Sequence, residues 1–131
     1  MLYHINGEQP AILGKVCRGF YLLQQQQGQR ITDPANVAYF QFDGNWFRLY
    51  FDADTIFWRK CDHPGEPVNN EVEAALVLVN LCEMTGVVGS VLETISYSGD
   101  SQKVTATLAF KEGQEITFQH IGEEDVTLFN C

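Results

Sequence analysis

VAYFQFDGNWFRLYFDADTIFWRK, residues 37–60, alternates bulky apolar and polar side chains around two turn signals. Asp tolerates positive φ and Gly adopts it without steric cost, so Asp43-Gly44 predicts a two-residue hairpin turn. A turn at that place sets the register: Phe42 opposite Asn45, Phe40 opposite Phe47, Ala38 opposite Leu49. Ala38, Phe40, Phe42, Phe47, Leu49 and Phe51 then share one face, which is the core face. Tyr39, Gln41, Trp46, Arg48 and Tyr50 share the other. A second turn at Ala53-Asp54 returns the chain into TIFWRK. It sets Phe51 against Ile56 and Leu49 against Trp58, and the three strands make a meander.

This register places Arg48 directly opposite Arg59 on the non-core face. Like charges so placed repel unless an anion or a carboxylate lies between them. Tyr39, Trp46, Tyr50 and Phe57 surround the pair. Aromatic rings beside arginine stack planar ligands or form the centre of protein interfaces. These six residues are the candidate ligand-binding or interface residues. A plainer reading has acidic side chains of the same chain neutralise the arginines while a helix covers the rings.

That helix is expected over 70–85. Asn70-Glu71-Val72-Glu73 resembles a capping box, and Gly86 supplies a stop. Val72 to Met84 is apolar on nearly every side. Val72, Ala75, Leu76 and Val79 fall at helical spacing, so the helix would be buried against the meander or in a homodimer. Between meander and helix, CDHPGEPVNN reads as a loop punctuated by Pro64, Gly65 and Pro67.

The last third reads as more antiparallel sheet. VLETISY precedes a turn at Ser98-Gly99-Asp100-Ser101, and Val104, Ala106, Leu108 and Phe110 then alternate with Thr105, Thr107 and Ala109. Glu112-Gly113 marks the next turn, with Gly113 at positive φ or in a bulge. Phe110 is expected opposite Ile116, followed by Phe118 and His120 on the same face. Glu123-Glu124-Asp125 is an acidic turn before a short strand over Val126 to Phe129. Near the start, Gln24 to Gln27 ends a strand that contains Phe20 to Leu23. Strands, one main helix, then strands predict a single α+β domain over 1–131. Its antiparallel sheet is built from the central meander and C-terminal hairpins, with the helix packed on one face.

Composition limits the functions. Seventeen Asp and Glu against 8 Lys and Arg give a formal charge of −9, which argues against a phosphate-neutralising surface for nucleic acid. The start MLYHINGEQP lacks a basic segment followed by an apolar run, and AALVLVNLC is too short to span a bilayer. A cytoplasmic protein that does not act at a membrane is expected. Cys17, Cys61, Cys82 and Cys131 are widely spaced and read as free thiols, with Cys82 buried and Cys131 exposed.

No phosphate-binding glycine loop, nucleophile elbow or HExxH motif occurs. Cys61-Asp62-His63 supplies two zinc-type ligands where a closed site needs four, so no metal and no cofactor is expected. Asp52, Asp54, Asp62 and Glu66 gather near one end of the meander, where turn carboxylates are ordinarily solvated. Small size, acidic charge and the missing catalytic signature point to a non-catalytic protein-binding domain. Its sharpest form is an acidic inhibitor or immunity-type antagonist of a basic partner. The alternative is a small-molecule binding protein or enzyme with an aromatic and arginine-lined pocket for an anionic ligand.

Overall fold

Asp43 at φ 53° and Gly44 at φ 77° form the hairpin turn that the dipeptide dictates. The register follows it, with Phe42 against Asn45, Phe40 against Phe47 and Ala38 against Leu49. Ala53 at φ 53° makes the second turn, setting Phe51 against Ile56 and Leu49 against Trp58. This is a computed structural model of the chain, and it describes residues 3–67 and 74–131.

Ten strands occur among the described residues: β1 (His4–Asn6), β2 (Cys17–Gln27), β3 (Arg30–Phe42), β4 (Asn45–Asp52), β5 (Thr55–Cys61), β6 (Ala74–Asn80), β7 (Leu92–Gly99), β8 (Lys103–Phe110), β9 (Glu115–Ile121) and β10 (Val126–Asn130). They form a six-stranded sheet in the order β1-β5-β4-β3-β2-β6 and a four-stranded sheet in the order β10-β9-β8-β7. The three-residue β1 runs parallel to β5, and every other pairing is antiparallel.

The α+β expectation is therefore corrected: the fold is all-β, with no helix among the described residues. The apolar run expected as a helix over 70–85 enters the six-stranded sheet as β6, antiparallel to β2, with Leu22 against Val79 and Gln24 against Val77. A short run apolar on all sides fits a helix or a two-sided strand equally well by periodicity. Pairing decides, because β2 carries its hydrogen-bonding edge out to Gln27 and an edge left open is costly. The β-branched Val77 and Val79 suit the extended form. Gly86 at φ 81° serves a series of turns rather than a helix stop. The capping-box residues 70–73 lie outside the described residues.

The core lies between the sheets. Phe20, Phe40, Phe42, Leu49, Ile56 and Trp58 point into it from one side, and Leu92, Ala106, Leu108, Ile116 and Phe118 from the other. Each of the large side chains contributes on the order of 1.5–3 kcal/mol by leaving water. Phe20 stacks on Phe40 at 4.7 Å, and Phe40 meets Phe118 edge-on at 6.3 Å across the layers. Trp58 Nε1 donates to the Tyr97 hydroxyl (2.8 Å), which donates to Gln9 Oε1 (2.6 Å), so both buried donors are satisfied.

Two smaller expectations also change. Leu108, not Phe110, stands opposite Ile116, and Phe110 N–H bonds Gln114 O at 2.9 Å across a turn with Gly113 at φ 94°. The shift is two residues, so every side chain keeps its face. Cys17 rather than Cys82 is the fully buried thiol, and Cys82 is half-buried. Burial pushes the Cys17 thiol up to about 12, against a hydrogen bond to Gly19 O that pulls it down.

At one margin the sheets meet without a regular ladder. β3 pairs with β4 only over Ala38 to Phe42, and β10 lies beside its earlier half. Pro34 has no N–H to offer there. The carboxylate of Asp33, 4% exposed, takes over: Oδ1 accepts Thr127 N–H at 2.8 Å and Oδ2 accepts Asn36 Nδ2 at 2.8 Å.

Candidate functional site

Strand alternation sends Tyr39, Arg48, Tyr50, Phe57 and Arg59 to the outer face of the six-stranded sheet. One row across it reads Asn80, Tyr21, Tyr39, Arg48, Arg59, and the next reads Leu78, Leu23, Val37, with Tyr50 and Phe57 beyond. Tyr50 and Phe57 stack at 4.9 Å with an interplanar angle of 1°. Arg48 lies over Tyr50 at 5.6 Å and Arg59 over Phe57 at 5.5 Å, both within cation–π reach.

Among the described residues, no carboxylate pairs with either of the opposed arginines. Ion pairs among the described residues link His4 to Asp54, Lys15 to Asp43 and His120 to Asp125, and leave both arginines out. Arg59 turns away to hold β1: Nη1 donates to Asn6 O (2.9 Å) and Trp58 O (2.8 Å), and Nη2 donates to Asn6 Oδ1. Its charge is absorbed by oxygen dipoles. Arg48 is exposed, and among the described residues its guanidinium makes no ion pair. Burial raises the Tyr39 hydroxyl above its ordinary pKa, while Arg48 pulls it down and Cys61 pushes it up.

Trp46 belongs to this face but is covered. The residue is 9% exposed, and its ring packs edge-on against His63 at 4.9 Å and beside Tyr21 at 5.7 Å. Gly19 makes room for it, since a Cβ there would stand 2.6 Å from Trp46 Cη2. The open part of the predicted set is thus Tyr39, Arg48, Tyr50 and Phe57. The sequence reading missed Tyr21, Leu23, Val37 and Leu78, which extend the patch across β2, β3 and β6. The alternation in FYLLQ carried that signal for β2.

The other candidate chemistries find no geometry. The His63 ring rests on Trp46 and Tyr21, with Nδ1 2.8 Å from Pro64 O. Burial raises the Cys61 thiol, Arg48 lowers it and Asp62 raises it, so no net activation results. Among the described residues no group of three or more His, Cys, Asp or Glu is placed to hold a metal. Asp54 is exposed and bonds its neighbour Thr55 (3.1 Å). Asp33, Thr127 and His120 resemble a catalytic triad in composition, but Thr127 is 2% and His120 1% exposed, out of reach of substrate.

Depressions on the surface are open and shallow. One of about 280 Å³ lies beside Arg59, lined by Gln9, Phe47 and Lys60 among others, and one of about 550 Å³ lies between loops 85–90 and 112–114. Among the described residues, no helix is long and apolar enough to cross a membrane. Comparison with known families, curated proteins and solved structures gives no significant match to this chain.

Proposed function

We propose that this chain is a non-catalytic protein-binding domain whose contact surface is the outer face of the six-stranded sheet, around Tyr39, Arg48, Tyr50 and Phe57. One observation carries the reading: an aromatic face displays an exposed arginine that has no ion pair among the described residues, in a chain of charge −9. Tyrosine, phenylalanine and arginine are the residues that interface centres concentrate. An open sheet face favours another protein over an enclosed small molecule. The net charge of −9 steers a basic partner toward the chain, and Arg48 then receives a carboxylate or carbonyl at close range. An inhibitor or immunity-type antagonist acting in the cytoplasm is the specific form of this reading.

The test begins with capture of bound protein from an extract of the source cells, followed by titration of the purified partner in a calorimeter. Arg48→Ala and Tyr50→Ala should each weaken binding about tenfold or more, while Glu93→Ala on the other sheet should not. The association rate should fall with added salt. No stoichiometric partner, or a partner indifferent to both face variants, overturns the reading. The depression beside Arg59 supports the second reading, a small anionic ligand. There, a metabolite that raises the melting temperature would lose its effect in Lys60→Ala.

A further inference from the structure

The margin between β3 and β10 holds a deeply buried titratable side chain that the contact face does not use. His120 is 1% exposed, and its ring stacks on Phe51 at 5.7 Å and 9°. Nδ1 lies 2.9 Å from Thr127 Oγ1. Nε2 is buried without a hydrogen-bond partner, which is uncommon and costly for a polar atom. The nearest charged group is the Asp125 carboxylate, 3.7 Å from Nε2, with 83% of its side chain exposed. Asp125 sits at φ 51° in the turn between β9 and β10, a conformation that few non-glycine residues adopt. Thr127 therefore bears two links at once, its hydroxyl to His120 and its N–H to Asp33.

Neutral imidazole suits this site. Burial holds His120 below its ordinary pKa, opposed by the carboxylates that face it: Asp125 from the turn, Asp33 from β3 and Asp52 from the end of β4. With the neutral ring's proton on Nδ1 and directed at Thr127, a second proton creates a donor at Nε2, and the Asp125 carboxylate at 3.7 Å is the acceptor it faces. A charge-assisted bond needs a separation of about 2.7–2.9 Å, closer than the 3.7 Å observed. An imidazolium gains both solvent and this partner by moving outward with the turn. That movement takes Thr127 with it and strains the Asp33 bond, which no backbone ladder reinforces.

We propose that the β3–β10 margin is a proton-operated latch, held shut by neutral His120 and released when the imidazole takes a second proton. The sign follows from linkage. A histidine that protonates less readily when folded than when unfolded contributes stability that is complete above about pH 6.5 and lost as the pH falls below it. Release begins at β10 because that strand carries both links and ends its sheet. Among the described residues, the remainder of the core holds no other buried histidine.

Solution NMR on the full chain tests this. The His120 ring carbons and the amide exchange of Thr127 are followed from about pH 7.5 to about pH 5, with exchange corrected for its intrinsic pH dependence. Protection at Thr127 should fall together with the ring titration, by up to about tenfold per pH unit, while the Phe40 and Leu49 amides keep theirs. Asp125→Asn should move both midpoints to lower pH, since it removes the carboxylate that favours the proton. His120→Gln should abolish the pH dependence at Thr127. If that variant does not fold, Asp125→Asn decides alone. Thr127 protection unchanged through the ring titration, loss simultaneous with Phe40, or unshifted midpoints in Asp125→Asn would overturn the latch.

Discussion

Removing the Asp33 carboxylate should do more damage than its place in an irregular part of β3 suggests. Asp33→Ala deletes two bonds to a charged acceptor, each worth about 1.5–3 kcal/mol. It also leaves the Thr127 N–H buried without a partner, at about 1–3 kcal/mol. Against this, a carboxylate 4% exposed no longer has to be desolvated, which returns several kcal/mol. The net expectation is a loss of about 2–4 kcal/mol, a fall in melting temperature on the order of 10 °C for a chain of this size. Asp33→Asn keeps an acceptor for Thr127 and loses only the bond to Asn36, so about half the loss should return. Urea titration of both variants, beside Asn36→Ala and the Asp33→Ala/Asn36→Ala double variant, apportions the terms. A loss under 1 kcal/mol for Asp33→Ala with an unchanged denaturant slope would refute the reasoning, because the margin would then be held by something other than this carboxylate.

Gly44→Val should destabilise by about 1–3 kcal/mol in the same assay. A Cβ at Gly44 meets nothing within 4 Å, so the whole effect comes from forcing a β-branched residue to φ 77°. Leu76→Ala should cost about 1–2 kcal/mol, below the 2–5 kcal/mol of a fully packed leucine, because Leu76 is half-buried in β6. A loss above that range would restore a fully enclosed position. Thiol labelling of the native protein, followed by mass spectrometry, should modify exposed Cys131 first. Cys17, buried and with its thiol pushed up to about 12, should react only on unfolding.

The outer face proposed for contact was legible in part because strand periodicity is exact about direction. Once Asp43-Gly44 set the register, Arg48 had to oppose Arg59, and Tyr39, Tyr50 and Phe57 had to share their face. Their partners could not be read the same way. Arg59 bonds Asn6 from a strand more than fifty positions away, and Trp46 is capped by His63 from a loop without periodicity. The His120–Thr127–Asp33 network was equally hidden, since Asp33 and Thr127 are 94 positions apart and each alone resembles a solvated turn or strand residue.

Local chemistry by itself determined the meander, its two turns, the core face of Phe40, Leu49 and Ile56, and the alternation of β8 and β9. Each depends on backbone preferences and a side-chain period that act over a few residues. Whether Ala74 to Asn80 coils or extends was decided only by tertiary structure. The same apolar run satisfies its backbone within a helix or against a neighbour, and the free edge of β2 from Tyr21 to Gln27 selects the neighbour. The packing of the four-stranded sheet over the six-stranded one followed in the same way, from apolar faces that recognise each other only once both sheets exist.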